Sequence, residues 1–162
     1  GHTRYPASAQ AMSDMLILED VEATLAVGRN LGAILRAGDK IALTGTLGAG
    51  KTTLARGILA GLDYNGEAPS PTFAIVQPYE PPETRIPVAH VDLYRIEDPE
   101  EIPELGLEDM LIDGAMIVEW PDRMPDSFWM DALRMTIEIT GEGNRRLTWH
   151  AGSAWNDRWP LA

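Results

Sequence analysis

Apolar positions fall into short runs along this chain, and their spacing changes from one stretch to the next. Leu16, Ile17 and Leu18 form a brief run that predicts a first strand. Asp20 follows as a helix N-cap, with Glu22 in the first turn, where the helix dipole favours an acid. Val21, Leu25, Gly28, Leu31 and Leu35 recur at helical spacing and predict one inward face, with Gly38 ending that helix. Lys40 to Thr44 is a β-rich apolar run, and Thr53 to Leu59 reads as a second helix that runs out near Gly61 and Leu62. A loop from Asp63 to Pro71 leads to a strand from Ala74 to Tyr79, where Pro78 requires an edge or a strand end. Glu80 to Pro87 is a hairpin-like connection. Val88 to Tyr94 and Ala115 to Glu119 are apolar strands, separated by helical pieces broken at Pro103 and Gly106. Leu133, Met135, Ile137 and Ile139 alternate with polar residues, the pattern of a half-exposed strand, and Arg145 to His150 is its antiparallel partner across a Gly-rich turn. The whole predicts an α/β chain. Residues 1–14 are expected to be a flexible N-terminal segment, 15–152 a single domain and 153–162 a tail that packs back through Trp155 and Trp159.

Between the run ending at Thr44 and the second helix stands Gly45-Thr46-Leu47-Gly48-Ala49-Gly50-Lys51-Thr52. This is the spacing of a phosphate-binding P-loop, in the strand-before, helix-after context that such a loop needs. Glycines let the backbone turn tightly with its N–H groups inward, and the helix start adds the positive end of its dipole. The Lys51 ammonium can reach terminal phosphates, and the Thr52 hydroxyl can ligate Mg²⁺. Hydrolysis further needs an acid for the metal and an oriented water. Two apolar strands end in an acid, at Asp92 and at Glu119, and the residues alone leave open which does which. Thr72, in the loop after the P-loop helix, stands where switch-type hydrolases sense Mg²⁺ and the γ-phosphate; an ordinary loop threonine is the equal alternative. His90 shares a strand face with Val88 and Asp92 and reads as a satisfied, half-buried histidine, with a polar role supporting the site as the alternative; Trp120 reads as packing rather than base stacking.

Composition narrows the function. With 162 residues there is room for one well-cored domain. The absence of cysteine removes disulfides, thiolate metal sites and thiol nucleophiles, and fits a cytoplasmic protein. A formal net charge of -12 sets the chain against direct binding to nucleic acid or an anionic membrane. No apolar run is long enough for a membrane span, and residues 1–13 lack the apolar core of a secretory leader. Glu97 to Asp113 carries eight acids and no Lys or Arg, a solvated face or a docking surface for a basic partner. No Asn is followed by Lys, so the guanine-reading motif is missing. No arginine-rich lid stands out, although Arg95 and Arg123 leave a small-metabolite kinase as the competing class, with a non-catalytic nucleotide-binding module as a third.

Several stretches in order resemble one family. They are the P-loop from Gly45 to Thr53, Ser70-Pro71-Thr72-Phe73, His90-Val91-Asp92-Leu93-Tyr94-Arg95, Pro99-Glu100-Glu101 with Leu105-Gly106, and Val118-Glu119-Trp120-Pro121. Together they resemble the TsaE (YjeE) family of small bacterial ATPases over roughly residues 18 to 125. The resemblance implies a P-loop NTPase-like three-layer fold with a mostly parallel central sheet and an antiparallel C-terminal hairpin. It implies ATP hydrolysis with Mg²⁺, low alone and stimulated by partners. That activity supports N6-threonylcarbamoyl modification of adenosine 37 in ANN-decoding tRNAs, on a complex of TsaD and TsaB that meets the tRNA. On this likeness Gly45, Thr46, Leu47, Gly48, Ala49, Gly50, Lys51, Thr52 and Thr53 hold the nucleotide. Thr52 and Glu119 hold Mg²⁺, Asp92 is essential to hydrolysis, Thr72 lies in the switch loop, and the helix start from Asp20 to Thr24 lies near the base. Thr46 departs from the acid many members carry there, at a variable position of the loop.

Overall fold

The computed structural model describes residues 9–12, 15–46, 48–66, 75–141 and 143–159. Their strands are β1 (Ala9–Met12), β2 (Met15–Leu18), β3 (Lys40–Thr44), β4 (Val76–Tyr79), β5 (Val88–Asp92), β6 (Ala115–Glu119), β7 (Leu133–Ile139) and β8 (Arg145–Ala151). They join in one sheet in the order β1-β2-β8-β7-β3-β6-β5-β4. The four central strands, β7, β3, β6 and β5, run parallel, and every outer pairing is antiparallel. This is the α/β arrangement predicted, with the β7–β8 hairpin in place. Pro78 lies in β4 at the sheet edge, where a missing N–H is tolerated. β2 adds to the outer side of β8, a pairing between chain ends that local periodicity does not encode. β1, within the stretch expected to be flexible, pairs antiparallel with β2.

Helices α1 (Val21–Ile34) and α2 (Lys51–Gly61) cover one face of the sheet; Leu31, Leu54 and Ile58 pack there on Ile41, Ile117 and Met135. The other face is closed by one-turn helical pieces, among them α3 (Leu107–Met110), and by Trp129 from the segment after β6. Among the described residues no helix is long and apolar enough to cross a membrane.

α1 corrects the predicted helix in two ways. It ends at Ile34, and Gly38 instead turns the chain into β3 with φ of 91°. Its inward stripe is Ala23, Val27 and Leu31 with Gly28 and Gly32, while Val21 is 65% exposed. The cause is α2. Gly28 and Gly32 face Gly57 and Gly61, and the two backbones touch with no side-chain layer between them. A Cβ on Gly28 would lie 2.6 Å from the Leu54 carbonyl oxygen, 2.8 Å from the Gly57 Cα and 2.8 Å from the Ile58 nitrogen. All three are backbone atoms, so relief requires moving a helix. Gly28→Ala should therefore destabilise, although alanine favours the helix by about 1 kcal/mol. We expect a net loss of about 2–3 kcal/mol, read as a fall in Tm of about 5–10 °C in a thermal melt.

Two arginines tie distant segments to these helices. Arg85 Nη2 donates to the carbonyls of Gly32 at 2.8 Å and Leu35 at 3.0 Å, closing the α1 C-terminus, which has no basic residue in its last turn. Arg158 makes a bidentate, buried pair with Asp39 at 2.7 and 2.8 Å and lies over the Trp155 ring. Trp155 and Trp159 are both core residues, so the last described turn belongs to the packed body.

Candidate functional site

Parallel pairing brings three strand ends to one level. Leu43 of β3 pairs in register with Glu119 of β6, and Glu119 with Asp92 of β5. Ala115 and Ile117 belong to the core under the helices, so alternation turns Glu119 to that same side. Val88 does the same for His90 and Asp92. The chain leaves β3 at Gly45, and α2 begins at Lys51 on this face. The loop and both acids therefore meet at the carboxyl edge of the parallel strands, where open α/β sheets bind ligands.

The described part of the loop has the positive-φ glycines that a phosphate cradle uses. Gly45 has φ of 156° and a Cβ there would overlap the Ile137 carbonyl; Gly50, the residue before α2, has φ of 120°. The first turn of α2 contains no acid and receives no side-chain cap. α1 differs: Asp20 accepts a hydrogen bond from the Ala23 amide at 2.7 Å. An uncapped N-terminus leaves amide donors and the positive dipole end for an anion.

Lys51 is 5% exposed, and its Nζ donates to the Gly45 carbonyl at 2.7 Å and lies 4.2 Å from the Trp120 ring centroid. Trp120 follows Glu119 in a left-handed conformation, φ 61°, and its ring packs against Tyr94. Asp92 accepts a hydrogen bond from the Tyr94 amide at 2.9 Å. Burial lifts the Asp92 carboxyl above its ordinary pKa and outweighs that hydrogen bond; the charge of Glu119 raises it further, while His90 and Lys51 oppose the rise. Glu119 is 3% exposed, and its Oε2 meets His90 Nε2 at 2.7 Å. His90 is wholly buried, not half-buried as its strand position suggested.

Thr52 and Thr53 occupy the first turn of α2, half-buried, and Thr46 is exposed on the loop. Leu47 and Thr72 lie outside the described residues. Beside the loop is a cavity of about 210 Å³ bounded by Leu18–Val21 and Thr24 on one side and by Gly48, Ala49, Gly50 and Thr53 on the other. Arg145 of β8 lines it too, and its Nε donates to the Ala49 carbonyl at 2.8 Å. Sequence reasoning missed Arg145 because its partner lies 96 residues away and no local pattern joins the two.

The donor set fits a magnesium-bound nucleotide. Thr52 and Glu119 offer hard oxygen ligands, and Lys51 and the loop amides offer donors to phosphate. Among the described residues no group of three or more His, Cys, Asp or Glu could hold a metal.

A family model described as "Threonylcarbamoyl adenosine biosynthesis protein TsaE" matches residues 18–147, most of the chain. The chain belongs to the TsaE family. Among curated TsaE proteins, that of Nostoc sp. is 45% identical over 115 residues, covering 68% of this chain and 69% of the relative. The Bacillus subtilis TsaE is 34% identical over 131 residues, covering 80% of each chain. Both are tRNA threonylcarbamoyladenosine biosynthesis proteins. A crystal structure of Bacillus subtilis YdiB superposes with a TM-score of 0.69 at 24% identity, covering 94% of this chain and 93% of that one, and shares the fold. The TsaE match includes the loop, both strand-tip acids, His90 and Arg145, and stops before the tryptophans of the C-terminal turn.

Proposed function

We propose that this TsaE-family chain is a P-loop ATPase serving threonylcarbamoyl modification of adenosine 37 in ANN-decoding tRNAs, acting on a complex of TsaD and TsaB in the cytoplasm. The observation that carries the hydrolase reading is the common level of the phosphate loop, Asp92 and Glu119 at one end of the parallel strands. In this scheme the loop amides and Lys51 hold the phosphates, and the ammonium exchanges the Gly45 carbonyl for a phosphate oxygen. Thr52 and Glu119 hold Mg²⁺, which neutralises phosphate charge when bound. Asp92 orients the attacking water, and the pKa lifted by burial makes it a better proton acceptor than an ordinary carboxylate. The cavity between the α1 start and the loop takes the base. Thr72 serves as the switch threonine. The net charge of -12 leaves contact with tRNA to the partner proteins.

Phosphate release from Mg-ATP tests this proposal. We expect slow release from the chain alone, with no phosphate acceptor added, and a severalfold rise when the TsaD–TsaB complex is present. Turnover appearing only with an added metabolite would assign the kinase class instead. Tight ATP binding without release under either condition would reduce the chain to a nucleotide-dependent binding module.

A further inference from the structure

We infer that His90 is a positioning residue that fixes the Glu119 carboxylate for the cation. The inference rests on the proposed role of Glu119 as a metal ligand. A carboxylate only 3% exposed is unfavourable unless something donates to it. Here the donor is an imidazole, itself 1% exposed, at 2.7 Å. An ionised carboxylate only accepts, so Nε2 is the donor in this bond. Nδ1 is buried and has no partner among the described residues. A buried ring with one orphaned nitrogen is oriented by the single bond its other nitrogen makes.

The strand register defines that bond. His90 pairs with Ile117, two residues behind the Asp92–Glu119 pair and on the same face. The ring thus stands on the core side of the strand tips and holds Oε2 from behind, leaving Oε1 for a cation. Outer partners of this kind fix a ligand's orientation, and losing one typically weakens metal binding about 10- to 100-fold. Glu119 also lies close enough to bear on the charge of Asp92, so a wandering Glu119 carboxylate would disturb more than the metal.

The test is the Mg²⁺ concentration that half-saturates binding of a fluorescent ADP analogue, measured beside the affinity for that analogue without Mg²⁺. Wild type, His90→Leu, His90→Asn, His90→Gln and Glu119→Gln are compared, each checked by thermal melting. We expect His90→Leu and His90→Asn to raise the Mg²⁺ half-point about tenfold while changing Mg²⁺-free affinity less than about twofold. His90→Gln, which presents an N–H donor at nearly the same reach, should return the half-point to within about threefold of wild type. A generally loosened fold would move both affinities together and would not be rescued by Gln. The inference falls if folded His90 variants keep the wild-type half-point while Glu119→Gln shifts it, or if Gln does no better than Asn. An unchanged half-point in Glu119→Gln removes Glu119 from the metal and takes this inference with it. Where His90→Leu does not fold, the smaller, polar His90→Asn against His90→Gln decides.

Discussion

Lys51→Ala is expected to lower phosphate release from saturating Mg-ATP by about a thousandfold. The ammonium stands at the end of the loop on a residue only 5% exposed. A donor aimed at developing phosphate charge in such a place is worth about 3–4 kcal/mol of transition-state stabilisation. Its remaining contacts are weaker. The Gly45 carbonyl and the Trp120 ring hold it in the absence of nucleotide, and losing a cation–π contact changes stability by about 1–2 kcal/mol at most. The variant should therefore melt close to wild type yet be inactive. A folded Lys51→Ala with wild-type phosphate release would remove the loop from the chemistry.

Asp92→Asn separates binding from hydrolysis. Asparagine is nearly isosteric, and its carbonyl can still accept the Tyr94 amide, so the turn after β5 should survive. What disappears is the charge proposed to orient water, and we expect hydrolysis to fall about a hundredfold with nucleotide affinity retained. Parallel loss of affinity would give Asp92 a metal-holding role. The same variant carries a stability signature. Burial, with a contribution from Glu119, raises the folded-state pKa of Asp92 above the ordinary value of 3.8. Above pH 3.8 the unfolded chain releases this proton first, so the contribution of Asp92 to stability declines as pH rises through the folded pKa. Below that window both states are protonated and nothing is lost. Nucleotide-free Asp92→Asn should accordingly melt higher than wild type at pH 7, with the advantage vanishing as the pH drops toward 3.8. A lower melting temperature at pH 7 would mean that attraction to Lys51 and His90 outweighs burial.

Much of this site was legible before any coordinates. The glycine spacing, Lys51 and Thr52 carry their chemistry in a contiguous stretch, and Ala115–Glu119 shows its ends because an apolar run stops at an acid. Parallel pairing then needed only the strand–helix alternation to bring Asp92 level with Glu119. What escaped was whatever depends on a partner far along the chain. His90 looked like a half-buried residue because alternation assigns a face but not the neighbour on it; the neighbour is Glu119, 29 residues on. Arg158 lies in the tail expected to pack back, but its partner, Asp39, stands 119 residues back and no local pattern points to it. In α1 the predicted stripe placed Gly28, Leu31 and Leu35 correctly in the interior but included Val21, which is 65% exposed, and spacing within one helix does not reveal that Gly28 and Gly32 meet the α2 backbone directly. Leu47 and Thr72 remain proposals from sequence.

The backbone-to-backbone seam between α1 and α2 has a mechanical consequence. Elsewhere in a core, rotamers cushion small displacements, but main chain against main chain offers no such give. The helix that begins at Lys51 and the helix that begins beside Asp20 must travel as one stiff plate. A push on the cavity side of α1 is then passed to the start of α2, where the proposed phosphate site lies.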